Sequence, residues 1–96
     1  MLTGKQRSYL KAMANNLDPI FQIGKNGVTE NFIKQVDEAL EVREIIKIKV
    51  LNNSFLDAKE IASELAEKTN AEFVQSIGSK FVLYRESKEN KKILLP

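Results

Sequence analysis

Apolar residues near the start recur at helical spacing. Leu2, Tyr9, Leu10, Met13 and Leu17 form one stripe, with Arg7 and Lys11 an i, i+4 pair on the opposite side. Thr3 followed by Gln6 is a capping-box pattern, which predicts a helix from about Gly4 to Asn16. Asp18-Pro19 ends any continuation, because the residue before a proline avoids helical backbone. Ile20 to Ile23 reads as a short strand. A second helix is predicted from Glu30 to Val42 or Arg43, with Thr29 as its N-cap. Its stripe is Phe32, Ile33, Val36, Ala39 and Leu40, with Lys34, Glu38 and Glu41 toward water.

The period then changes from helical to twofold. Over Ile45–Leu51, Ile46, Ile48 and Val50 point one way and Lys47 and Lys49 the other, the pattern of a half-buried strand. Asn52-Asn53-Ser54 predicts a turn, and Asp57 with Glu60 opens a third helix running to about Lys68. That helix carries the stripe Ala58, Ile61, Ala62, Leu65 and Ala66, and Asn70 suits a left-handed C-cap. Glu72–Ile77 and Phe81–Arg85 read as strands of a hairpin joined through Gly78-Ser79-Lys80. Residues 87–92 are expected to be a charged, mobile tail, with Ile93-Leu94-Leu95 folding back on the sheet.

The order α-β-α-β-α-β-β predicts an α+β (α/β) two-layer fold with a four-stranded mixed sheet. The β-α-β unit requires a parallel pair and the last hairpin an antiparallel one. Helices two and three are expected on one face. Lys47, Lys49 and Gln22 would project from the other, part of which helix one would cover.

At 96 residues, 43% apolar and 29% charged, the chain fits a single folded domain over 1–96. It has neither cysteine nor histidine, which removes disulfides, thiolate or imidazole metal sites and histidine-based acid–base catalysis. No apolar run reaches the ~18 residues of a membrane helix, and the first residues do not read as a secretory signal. A soluble, cytoplasmic protein without metal or cofactor is the expectation. The net charge is +2 but segregated: residues 1–35 and 77–96 are basic, whereas 36–46 and 57–76 are acidic. Such segregation lets a fold present one positive face, the first requirement of a polyanion footprint.

Gly24-Lys25-Asn26-Gly27 carries the chemistry. A strand that feeds a glycine turn and then a helix start can bind an anion, because first-turn amides point outward and glycine admits close approach. The bland alternative is a tight turn needing positive φ at glycine. There is no third glycine for a dinucleotide fingerprint and no Gly-Lys-Ser/Thr for a triphosphate loop.

Four blocks in order resemble the CRM domain (chloroplast RNA splicing and ribosome maturation), in its single-domain bacterial YhbY-type form. They are Leu2-Thr3 with Gln6-Arg7; Ile23 to Thr29; Ala39-Leu40 with Glu44 to Val50; and Gln75 to Gly78 with Val82 to Arg85. The resemblance implies a fold similar to the C-terminal domain of translation initiation factor 3. It also implies RNA binding through the GxxG loop and a link to precursors of the large ribosomal subunit. Arg43 and Ser79 stand where histidines often occur in the family, which weakens any role for an imidazole but not for phosphate attraction.

The candidate RNA-binding residues are Gly24, Lys25, Asn26 and Gly27, then Lys47 and Lys49, then Arg7, Lys11, Lys80 and Arg85. Tyr9 and Tyr84 are candidates for stacking on bases. Glu38 with Glu41, and Glu64 with Glu60 or Glu67, sit on polar helix faces without a nucleophile or base. No catalytic residue is assigned, and an enzyme is not expected. Three readings stay open: a monomeric RNA-binding assembly factor, a protein-interaction adaptor using the acidic helix faces, and a small anion- or nucleotide-binding regulator.

Overall fold

A computed structural model describes residues 2–51 and 56–96; the turn expected at Asn52-Asn53-Ser54 lies outside them. The elements are α1 (Gly4–Ala14), β1 (Phe21–Ile23), α2 (Glu30–Arg43), β2 (Ile45–Val50), α3 (Ala58–Thr69), β3 (Glu72–Ile77) and β4 (Lys80–Tyr84). The sheet order is β1-β2-β4-β3, parallel between β1 and β2 and antiparallel elsewhere. This is the mixed α+β sheet that the period changes predict.

Each helix starts where its cap is. The Thr3 hydroxyl accepts from the Gln6 amide while the Gln6 side chain accepts from the Thr3 amide, a reciprocal capping box. Thr29 accepts from the Phe32 amide and Asp57 from the Lys59 amide, and Asn70 ends α3 in the left-handed region.

Two apolar clusters sit on opposite faces of the sheet. Under α2 and α3 lie Ile23, Val36, Leu40, Ile46, Ile48, Val50, Ala58, Ile61, Ala62, Leu65, Phe81 and Leu83. On the other face Leu10 and Ala14 of α1 pack with Ile45, Val74, Val82, Tyr84 and Ile93. Val74 reaches that face by alternation from Glu72, and the β-bulge between Phe73 and Gln75 turns Gln75 and Ile77 to the same face. The hairpin is tighter than the sequence suggests. Lys80 opens β4, leaving a two-residue turn with positive φ at Gly78 but not at Ser79, as a type II′ turn requires.

Three expectations change. Tyr9 is 43% exposed and stands outside the α1 stripe, whose buried members are Leu10 and Ala14. Arg7 does not point freely to water: its Nη1 donates to the carbonyls of Phe73 and Val74, on the outer strand β3. There it fills carbonyls that would otherwise offer an edge for strand pairing. The tail is fastened rather than mobile. The fully buried Glu44 carboxylate accepts from the amides of Ser87, Lys92 and Ile93 at 2.7, 2.6 and 2.7 Å. Glu41 accepts from the Ser87 hydroxyl and the amides of Lys88 and Glu89. Ile93 folds back on the sheet as expected, while Leu94 is exposed.

Candidate functional site

Two contacts hold the strand–turn–helix unit. Phe21 of β1 meets Phe32 of α2 edge-to-face, with ring centroids 5.7 Å apart, which fixes the helix start against the strand. The Gly27 amide donates to the Gly24 carbonyl at 2.9 Å, closing a turn with Lys25 and Asn26 exposed at its tip. A side chain at Gly24 would sit 3.5 Å from Leu51 Cδ1, an ordinary contact. Gly27 has φ +66°, and a Cβ there would meet no heavy atom within 4 Å. Conformation, and not crowding, is therefore what demands glycine, and the space beside it is open. The first turn of α2 supplies outward amides, partly offset by the negative charge of Glu30.

The loop lies at one end of the sheet together with the β3–β4 hairpin. The Leu51 amide donates to the Ile23 carbonyl, and the Val50 amide to the Ser79 carbonyl at 2.7 Å. Cross-strand register then places Gln22, Lys49, Lys80 and Ile77 in one row across all four strands. Lys47, Val82 and Gln75 form the next row inward. Both rows belong to the α1 side of the sheet; the outer row lies beyond the α1 cluster, while Val82 in the inner row is buried against it. Lys49 directly faces Lys80, a destabilising like-charge pair. Among the described residues no carboxylate forms an ion pair with Lys47, Lys49 or Lys80.

Of the remaining candidates, Arg85 separates from this end, whereas Arg7 and Lys11 lie beside Gln75 of the second row. Arg7 is spent on the β3 carbonyls; Lys11 is exposed on α1 and borders a shallow depression with Arg7 and Lys59. Arg85 is on the α2–α3 side, its side chain 13% exposed. Its guanidinium pairs with the Asp37 carboxylate and donates to the carbonyls of Thr69 and Asp37, so it ties α2, α3 and β4 together. That geometry removes Arg85 from the phosphate contacts. Tyr84 is 5% exposed in the second cluster and cannot stack on a base. Three of the four carboxylates of the acidic stretch are engaged internally, Asp37 by Arg85 and Glu41 and Glu44 by the tail, while Glu38 is exposed. Among the described residues no group of three or more His, Cys, Asp or Glu could hold a metal ion, and no helix is long and apolar enough to cross a membrane.

Residues 2–85 match the CRS1 / YhbY (CRM) domain. The chain belongs to this family. The Bacillus subtilis member named "Probable RNA-binding protein YqeI" is 53% identical over 96 residues, covering 100% of both chains. A Haemophilus influenzae protein named "RNA-binding protein" is 39% identical over 95 residues, 99% of this chain and 95% of that one. The solution structure of a hypothetical protein from Staphylococcus aureus superposes with a TM-score of 0.83 at 62% identity, over 100% of both chains. The CRM match stops at Arg85, so the tail fastened by Glu41 and Glu44 lies beyond it.

Sequence reasoning missed Asn15, Gln75 and Ile77, which border the lysine rows. A uniform alternation along Glu72–Ile77 does not announce the bulge, and only the bulge puts Gln75 and Ile77 on the same, α1 side as Val74.

Proposed function

We propose that this protein binds RNA, as a monomer without metal or cofactor, and serves as an accessory factor on precursor large-subunit ribosomal RNA. Gly24 to Gly27 would take a phosphate at the start of α2, with Lys25 adding a full charge. Lys47, Lys49 and Lys80 would take neighbouring phosphates. The observation that carries this reading is the Lys49–Lys80 cross-strand pair, which no carboxylate among the described residues neutralises by an ion pair, beside an open glycine turn. Two lysines facing one another across a sheet are stabilised when an anion lies between them. The names of the relatives support the RNA-binding part; the assembly role rests on what the sequence resemblance implies. The adaptor reading loses Asp37, Glu41 and Glu44, which are engaged within the fold, and keeps only the exposed Glu38 of α2 and Glu60, Glu64 and Glu67 of α3.

A salt-titrated binding measurement on structured RNA tests the reading. Lys25→Ala is expected to weaken binding on all sequences and to lower the slope of log affinity against log salt by about 0.7–0.9. Its melting temperature should not move, since Lys25 is exposed at the turn tip. Competition by free nucleotide would favour the small-anion regulator instead. Sedimentation of the protein with precursors of the large subunit tests the assembly role separately; binding without co-sedimentation would remove that part alone.

A further inference from the structure

The lysine rows border a groove of about 400 Å³ between the C-terminal end of α1 and the β3–β4 hairpin. Asn15, Lys47, Gln75, Ile77, Lys80 and Val82 line it. Its volume falls within the ~300–1,000 Å³ typical of small-ligand sites. Apolar and hydrogen-bonding groups are set side by side. Val82 is the floor; Ile77 stands at the rim with 65% of its surface exposed, an unusual place for a large aliphatic side chain. Asn15 and Gln75 each offer a donor and an acceptor within the same groove.

Resting on the RNA-binding reading above, the geometry points to this groove as the seat of one unpaired nucleotide. The base would lie against the exposed face of Ile77, above the buried Val82, with its edge toward the amides of Asn15 and Gln75. Lys47, Lys49 and Lys80 would hold the flanking phosphates. A paired base cannot enter, because its edge is already hydrogen-bonded and its faces are stacked. The protein would thereby prefer RNA with an exposed loop or bulge over a continuous duplex. The charges alone do not predict that preference, since phosphate contacts are equally available on paired and unpaired RNA.

The test uses two RNAs, a hairpin with an unpaired loop and the same stem closed as a blunt duplex, titrated against the full chain. Ile77→Ser and Gln75→Ala are expected to weaken hairpin binding by about fivefold or more, the scale of losing one base contact. Duplex binding should be unchanged, and Ile77→Val should retain hairpin affinity. Melting curves confirm that each variant is folded, which the exposure of Ile77 favours. Wild-type hairpin affinity in a folded Ile77→Ser, or an equal loss on hairpin and duplex, would overturn the groove as a nucleotide site. If Lys25→Ala still weakens both RNAs in that case, the RNA-binding reading survives alone. If the wild-type chain binds neither RNA, both fall together.

Discussion

Replacing Glu44 by Gln alters one atom of a side chain with no exposed surface, yet it should loosen the whole C-terminal segment. Oε1 accepts from Lys92 and Ile93, and Oε2 from Ser87. A glutamine keeps one acceptor, so two charge-assisted bonds become neutral ones, at a cost of about 1 kcal/mol each. The third amide then faces an NH2 group and is left unsatisfied, at about 1–3 kcal/mol. Burying a neutral group is easier than burying a carboxylate, which returns part of this. The net expectation is about 2–4 kcal/mol, felt first as detachment of residues 87–96. Native-state hydrogen exchange measures it directly: protection of the Lys92 and Ile93 amides should fall by about 30- to 700-fold. Acid should act the same way on the wild type. Burial pushes the Glu44 pKa up, but the amides of Ser87, Ile93 and Lys92 outweigh it, and the group titrates below its ordinary 4.5. A depressed folded-state pKa means that the contribution is present above about 4.5 and is lost as pH falls through the folded value. Glu41 acts in the same direction, held down first by the Lys88 amide and then by the Ser87 hydroxyl. Unchanged amide protection in Glu44→Gln, or an acid transition of equal steepness in variant and wild type, would refute the anchoring role.

Lys80→Glu should raise the melting temperature by about 2–5 °C, by turning the pair with Lys49 into an attractive one, and should abolish RNA binding; a fall in both would mean that Lys80 is only structural. Gly27→Ala should cost about 1–2 kcal/mol from its φ of +66°, together with RNA affinity, whereas wild-type affinity in a normally melting Gly27→Asp would leave the loop a turn and nothing more. Arg7→Met should lower the melting temperature by about 5–15 °C through loss of its bonds to Phe73 and Val74, with RNA affinity of the folded protein kept. An affinity loss at unchanged stability would return Arg7 to the interface.

What could be read from the sequence was whatever local pattern controls. Caps at Thr3, Thr29 and Asp57 and the alternation of Ile46, Ile48 and Val50 against Lys47 and Lys49 fix elements and faces without tertiary information. The glycine turn was legible for the same reason. The long-range roles of charged side chains were not. Arg7, Arg85 and Glu44 look like surface charge in the chain, because their partners lie 66, 48 and up to 49 residues away. Arginine can satisfy several carbonyls at once, and a carboxylate several amides, so both serve as internal ties that no periodicity marks. The groove was invisible because a bulge resets the faces of β3 while leaving its composition unchanged.

The division of the apolar residues into two clusters also has a kinetic consequence. The cluster under α2 and α3 draws on a continuous stretch, with buried members from Ile23 to Leu83. The opposite cluster closes only when Leu10 and Ala14 from one end of the chain and Ile93 from the other meet on Ile45, Val82 and Tyr84. Such contacts span nearly the full chain and carry the largest loop-closure cost. Folding should therefore nucleate in the central β-α-β-α-β-β segment, with α1 and the tail docking after the rate-limiting barrier. Weakening Leu10 would then speed unfolding and leave the folding rate nearly untouched. The last step to form would be the one that roofs part of the lysine-bearing face, so the earliest native-like species would carry that face wholly open.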